Sequence, residues 1–155
     1  EKTVLSGILH NYQTLDDILE LINENDFYLK ENKIIFKQLC QMNQQGIPIN
    51  LSTLCESLDK SNQLKQAGDA LYLADLTDYA IGPLNTIQAA IRVKKLSIQR
   101  SAIFTLSQLV SDCYQFDIDL DFALENAQQK LYELSNYNHA DNNAIHIKDA
   151  IGSVI

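Results

Sequence analysis

The chain has 155 residues, a net charge of −8, 46% apolar residues, five glycines and two prolines. A domain of that length buries a core of its own without disulfides or a metal, and so little Gly and Pro excludes a disordered chain or a loop-rich sandwich. No uncharged run reaches the roughly 20 residues of a membrane span, and an acidic balance is the reverse of what a general nucleic-acid binder carries.

The opening Glu1-Lys2-Thr3-Val4 leads into no long apolar core, which argues against a secretory signal. Cys40, Cys55 and Cys113 are odd in number and form no C-x-x-C pair, so they read as apolar fillers in a reducing, cytoplasmic setting. With no initiator Met, and an apolar pattern still running at Ile155, the chain is expected to be a fragment.

Helical periodicity dominates. A short apolar helix covers Val4 to Leu9. Thr14, with Asp17 three places on, is expected to cap a helix carrying Leu15, Ile18, Leu19 and Ile22 on one face, which Asn23 to Asp26 break. A stripe of Ile34, Ile35, Phe36, Leu39 and Met42 predicts a helix ending near Gln45, where Gly46 supplies the left-handed closing residue and Pro48 prevents continuation. Asn50 is placed to cap the next helix, with Leu51, Leu54, Cys55 and Leu58. After a polar turn, Asp69 to Asp78 is a short helix.

Gly82-Pro83 is a start signal, and no breaker follows before about Cys113, so one helix of about 30 residues (about 45 Å) is expected. Asp119 can cap the next helix, whose inner stripe is Leu120, Ala123, Leu124, Ala127, Leu131 and Leu134. Residues 136–143 read as a polar linker, and Ile147, Ile151 and Val154 as a strip on a last short helix.

On a wheel, the long helix shows two apolar stripes. Leu84, Ile87, Ile91, Ile98, Ala102, Leu106, Leu109 and Cys113 form one; Val93, Leu96, Ile103 and Val110 form the other. One stripe suffices to pack against the following helix. A thin hairpin cannot cover both, so Val93, Leu96, Ile103 and Val110 are the expected self-association surface. Residues 1–78 carry a net −6, residues 79–111 a net +4 and residues 112–155 a net −6. Opposite signs on the two arms favour their antiparallel pairing. The basic segment Arg92, Lys94, Lys95 and Arg100 is also a weak candidate for gripping nucleic acid.

The glycines form neither a G-x-x-x-x-G-K-[ST] nor a G-x-G-x-x-G pattern, and His10, His139 and His146 lack metal-ligand spacing. Asp117, Asp119 and Asp121 lack the Gly and Glu of a calcium loop. No catalytic, cofactor or metal residue is therefore assigned.

In order and spacing, Val4-Leu5-x-Gly7, Asp26-Phe27-Tyr28, Ile35-Phe36, Gly46-x-Pro48-Ile49, Leu58, Gly68, Tyr72-Leu73-Ala74-x-Leu76, Asn85 and Arg100 resemble the N-terminal domain of DnaB-type bacterial replicative helicases. Ala127-Gln128-Gln129-Lys130-Leu131-Tyr132 is similar to that domain's closing helix. The chain departs from the pattern where Asn32 replaces a common His, Lys30 a Pro, Asn50 an Asp, Asp69 the second Gly of a pair, Ala89 a Tyr and Lys95 an acidic residue. These last two alter the long-helix surface through which the resemblance implies partner contacts.

The resemblance implies an all-α fold: a globular head (about 1–81), a long antiparallel helical hairpin (about 82–136) and a linker segment (137–155) opening a short linker helix. It implies a non-catalytic assembly domain whose copies pair and form a trimer of dimers, the collar of a hexameric ring that docks primase and, in some bacteria, a loader. ATP, magnesium and most DNA contact would belong to a separate motor domain, against which Ile147, Ile151 and Val154 would pack. The alternative is an unrelated helical adaptor that binds a partner helix.

Overall fold

The computed structural model describes the backbone of residues 1–79, 82–115, 117 and 119–152, and the side chains among these up to residue 136. Every regular element there is helical, as expected: α1 (Lys2–His10), α2 (Thr14–Leu19), a 3-10 turn (Glu24–Asp26), α3 (Lys30–Gln44), α4 (Leu51–Lys60), α5 (Asp69–Thr77), α6 (Pro83–Cys113) and α7 (Leu120–Gly152). No described helix is long and apolar enough to cross a membrane. The chain divides into two compact units, Glu1–Ser97 and Ile98–Ile155.

Local chemistry sets most of the boundaries. Gly46 closes α3 at φ +66°, and the Ile47 N–H reaches back to the Met42 carbonyl at 2.9 Å. Asn50 caps α4 reciprocally: its Oδ1 accepts from the Thr53 N–H at 3.0 Å, and its own N–H donates to Thr53 Oγ1 at 3.1 Å. Pro83 opens α6, and Asp119 Oδ1 accepts from the Phe122 N–H at 3.1 Å to start α7.

Three local expectations are corrected. Thr14 is inside α2, and its hydroxyl donates to the Asn11 carbonyl at 2.7 Å instead of capping. Residues 23–26 do more than break a helix. Asn23 Oδ1 accepts from the Asn25 N–H and Asp26 Oδ2 from the Asn23 N–H, both at 2.9 Å, which winds a 3-10 turn. Finally, α7 continues through 136–143 to Gly152 without a separate last helix. Asn, Asp, His and Ala cost at most about 0.7 kcal/mol each in a helix, and the stretch holds neither Pro nor Gly.

The first unit is built on a core of Val4, Leu5 and Ile8 from α1, Leu15 and Ile18 from α2, Ile35, Phe36, Leu39 and Met42 from α3, Leu54 and Leu58 from α4, and Leu73 and Leu76 from α5. Phe27, just after the 3-10 turn, packs on Phe36 with ring centroids 4.9 Å apart.

In this unit α6 enters the core through small residues. Thr86, Ala90, Val93 and Ser97, spaced four, three and four apart, are its buried positions. The close approach is fixed by Gly7 of α1: a Cβ built there would lie 2.1 Å from Thr86 Oγ1 and 2.4 Å from Thr86 Cγ2. The expected inward stripe is therefore corrected, since Leu84 is 72% exposed whereas Val93 is buried in the core. Large side chains cannot fit where two helices almost touch.

Candidate interaction surface

Within the second unit, the end of α6 and the start of α7 run antiparallel. Phe104, Thr105, Gln108, Leu109 and Asp112 face Ala123, Asn126, Ala127 and Lys130 across a narrow crevice. Among the described side chains of this unit only Thr105 and Ala127 are buried. Both are small, so the helices meet closely along a thin seam; Leu109, Leu131 and Leu134 are half-buried, and other large apolar groups stay outside.

Ile103, Phe104, Phe122 and Tyr132 are each about two-thirds exposed, Val110 slightly less, and Leu106, Leu120 and Leu124 about half. Sequence periodicity placed Leu106, Leu120 and Leu124 on inner stripes. The structure leaves them half open because a two-helix seam covers only a narrow sector of each helix. Phe104 and Phe122 were not singled out, and Tyr132 only as part of the closing-helix motif.

The four residues expected to form one association stripe separate. Val93 belongs to the core of the first unit, a correction to its assignment, because α6 packs there through its small-residue face. Leu96 is 45% exposed, and Ile103 and Val110 remain open to solvent. The linker candidates Ile147, Ile151 and Val154 lie outside the residues whose side chains are described.

The basic candidates separate too. Lys94 is largely withdrawn from solvent, its Nζ 3.1 and 3.3 Å from the two carboxylate oxygens of Asp26. Arg100 is half-buried, and Arg92 and Lys95 are exposed. A set of four phosphate-facing cations is thus reduced by the one that the head uses for its own ion pair.

A second polar group, missed in the sequence, ties three elements of the first unit together. Leu29 gives α3 no side-chain cap; instead Glu1 accepts from the backbone N–H groups of Tyr28 and Leu29 and, at 2.7 Å, from Asn32 Nδ2. Asn32 is fully buried, and its Oδ1 accepts from the Tyr72 hydroxyl at 2.8 Å. Lys2 Nζ lies over the rings of Tyr72 and Tyr79, 4.8 and 5.1 Å from their centroids. Burial and the nearby Glu31 push the Tyr72 phenol above its usual pKa, although the Asn32 contact acts the other way. Nothing local announces a cap delivered from 27 residues away.

Residues 1–95 match the family model of the DnaB-like helicase N-terminal domain. The chain belongs to that family. Among curated relatives, the replicative DNA helicase DnaB of Pasteurella multocida is 29% identical over 136 residues, covering 87% of this chain and 29% of that protein. The DnaB of Geobacillus stearothermophilus is 28% identical over 140 residues, covering 90% and 31%. The chain thus spans about three-tenths of the length of these relatives. The crystal structure of the N-terminal domain of DnaB helicase from Mycobacterium tuberculosis shares its fold, with a TM-score of 0.78 at 23% identity over 85% of this chain and 93% of that one. What is matched is the N-terminal domain of a DnaB-type helicase, and its motor domain is not among these residues.

Proposed function

We propose that this chain is the assembly and partner-docking domain of a replicative DNA helicase and works without catalysis of its own. The carrying observation is the exposed apolar surface of the α6–α7 hairpin in a chain of the DnaB-like N-terminal family. Residues 1–136 are the assembly domain, and 137–155 the linker segment, entered here as a continuation of α7. In this reading hairpins of two copies cover each other's Ile103, Leu106, Val110, Leu120 and Leu124, dimers join as a trimer of dimers, and surface left over docks primase and, where one exists, a loader. ATP, Mg²⁺ and most DNA contact belong to the motor domain of the parent protein.

The energetics allow it. Fully burying a Leu, Ile or Val contributes about 1.5–3 kcal/mol, and half-exposed residues gain roughly half of that on docking. Five such groups on each of two copies give about 7–15 kcal/mol, comparable to the 4–15 kcal/mol cost of association. Contacts from Phe104, Phe122 or Tyr132 tip that balance toward a concentration-dependent oligomer.

Sedimentation velocity at tens of micromolar tests the proposal. The parent chain should sediment as a dimer or larger, and I103D/V110D as a monomer with unchanged helical circular dichroism, since both positions are exposed. A parent chain that is monomeric there, or a variant that assembles normally, refutes it.

A further inference from the structure

The turn between α1 and α2 and the connection between α3 and α4 enclose a cavity of about 320 Å³ within the first unit. Tyr12, Asn43, Gly46, Ile47, Pro48 and Ile49 line it. That volume is at the lower end for ligand pockets, enough for one large side chain. Tyr12 is 57% exposed although it shares the wall with two isoleucines and a proline.

The walls are set before anything binds. Gly46 turns the chain at φ +66°, the Met42 carbonyl holds the Ile47 N–H at 2.9 Å, and Ile49 is buried. The Pro48 carbonyl accepts from Thr53 Oγ1 at 2.6 Å, and Asn43 Nδ2 donates to Asp16 Oδ1 at 3.2 Å. A preformed apolar hole costs little to organise when a ligand enters.

The rim has one sign. Residues 11–29 and 38–59, which carry both connections, hold five and two acidic residues respectively and no Lys, Arg or His. Asp26 is engaged by Lys94, but Asp16 and Asp17 are exposed, and Asp16 touches the lining through Asn43. α3 ends beside the cavity with no basic residue in its last turn, so the partial negative charge of its carbonyls adds to theirs. An apolar hole under an acidic rim is complementary to an apolar side chain with a cation next to it. The lining is confined to two short connections, too little for the i, i+4 and i+7 anchors of a docked helix, so the chain that delivers the side chain is extended.

We infer that this cavity is a docking site for an extended segment of a partner protein in which an aliphatic residue is followed by Arg or Lys. It belongs to the head and works whether or not the hairpins self-associate.

Amide spectra of the 155-residue protein titrated with the peptide acetyl-Gly-Ser-Leu-Arg-Lys-Ser-Gly-amide test the inference. The resonances of Tyr12, Asn43, Ile47 and Ile49 should shift and saturate. Replacing the peptide's Leu by Gly, or its Arg-Lys by Glu-Glu, should weaken binding about fivefold or more. So should Tyr12→Ala and D16N/D17N in the protein, whose altered side chains are exposed and leave the Asn43 contact an acceptor. Pocket resonances that ignore the basic peptide, equal shifts from the acidic one, or variants that bind as tightly as the parent overturn the inference. It is overturned too if the same resonances move with the protein's own concentration and no peptide, because a second copy then fills the cavity.

Discussion

Gly7→Ala tests the closest approach in the head. The added methyl would stand 2.1 Å from Thr86 Oγ1, 2.4 Å from Thr86 Cγ2 and 2.8 Å from Thr86 Cβ. Carbon atoms rest at about 3.5–4.0 Å, so α1 and α6 must separate by about 1 Å or more. Thr86 cannot swing clear, because it is fully buried with its Oγ1 3.4 Å from the Gly82 carbonyl. Overpacking of this kind costs about 1–3 kcal/mol, and the upper end applies because Ala90 and Val93 lose contact as well. Ala is favoured over Gly inside α1 by about 0.8–1 kcal/mol, which leaves a net loss of about 2 kcal/mol. At 2–4 °C per kcal/mol for a chain of this size, the thermal midpoint falls by about 4–8 °C. G7A/T86A removes the two nearest atoms and should be less destabilised than the sum of its single variants. A G7A protein as stable as the parent or more so would show that the helices do not meet there.

Two further predictions concern groups far apart in sequence. Glu1→Ala leaves the Tyr28 N–H and the buried Asn32 amide without their acceptor and should cost about 1–2 kcal/mol in urea unfolding, whereas an unchanged midpoint refutes the long-range cap. Burial and, secondarily, Glu24 push the Cys40 thiol from 9.0 up to about 11, and burial raises the Tyr72 phenol above 10.0. Both groups keep their protons in the folded chain when the unfolded chain has begun to release them. Stability is therefore fully present below pH 9 and declines as the pH rises from about 9 to 11. Urea midpoints across that range should fall more steeply for the parent than for C40A/Y72F, and equal slopes would contradict the assignment.

Much of the fold was legible because its signals are local. Gly46, Pro48, Asn50, Pro83 and Asp119 act on backbone groups within a few residues of themselves, and each sits at a boundary that the structure keeps. Contacts over long separations left no such trace. The Glu1 cap bridges 27 residues and the Lys94–Asp26 pair 68, and no periodicity encodes either. Asp26 itself stood in a stretch read as a break, and Lys94 among residues read as a basic patch. A charge's type is visible in sequence, but its burial is not.

Val93 and Val110 state the same limit within one helix. The two side chains are identical and the wheel places both on one stripe, yet one is 4% exposed and the other 58%. Helical phase assigns residues to a sector but does not say which sector faces inward at a given height. That choice belongs to the partner. Next to Gly7 the partner comes so close that Thr86 fills the space and a leucine would be too large, and farther along Ala90 and Val93 are buried in the core. In the hairpin, among the described residues, the facing element is α7, whose own buried position, Ala127, is equally small. Small-on-small packing brings two helices together while turning their larger residues outward. Ile103, Leu106, Val110, Leu120 and Leu124 are exposed by that geometry, which makes the hairpin's thin seam the physical reason so much apolar surface stays open there.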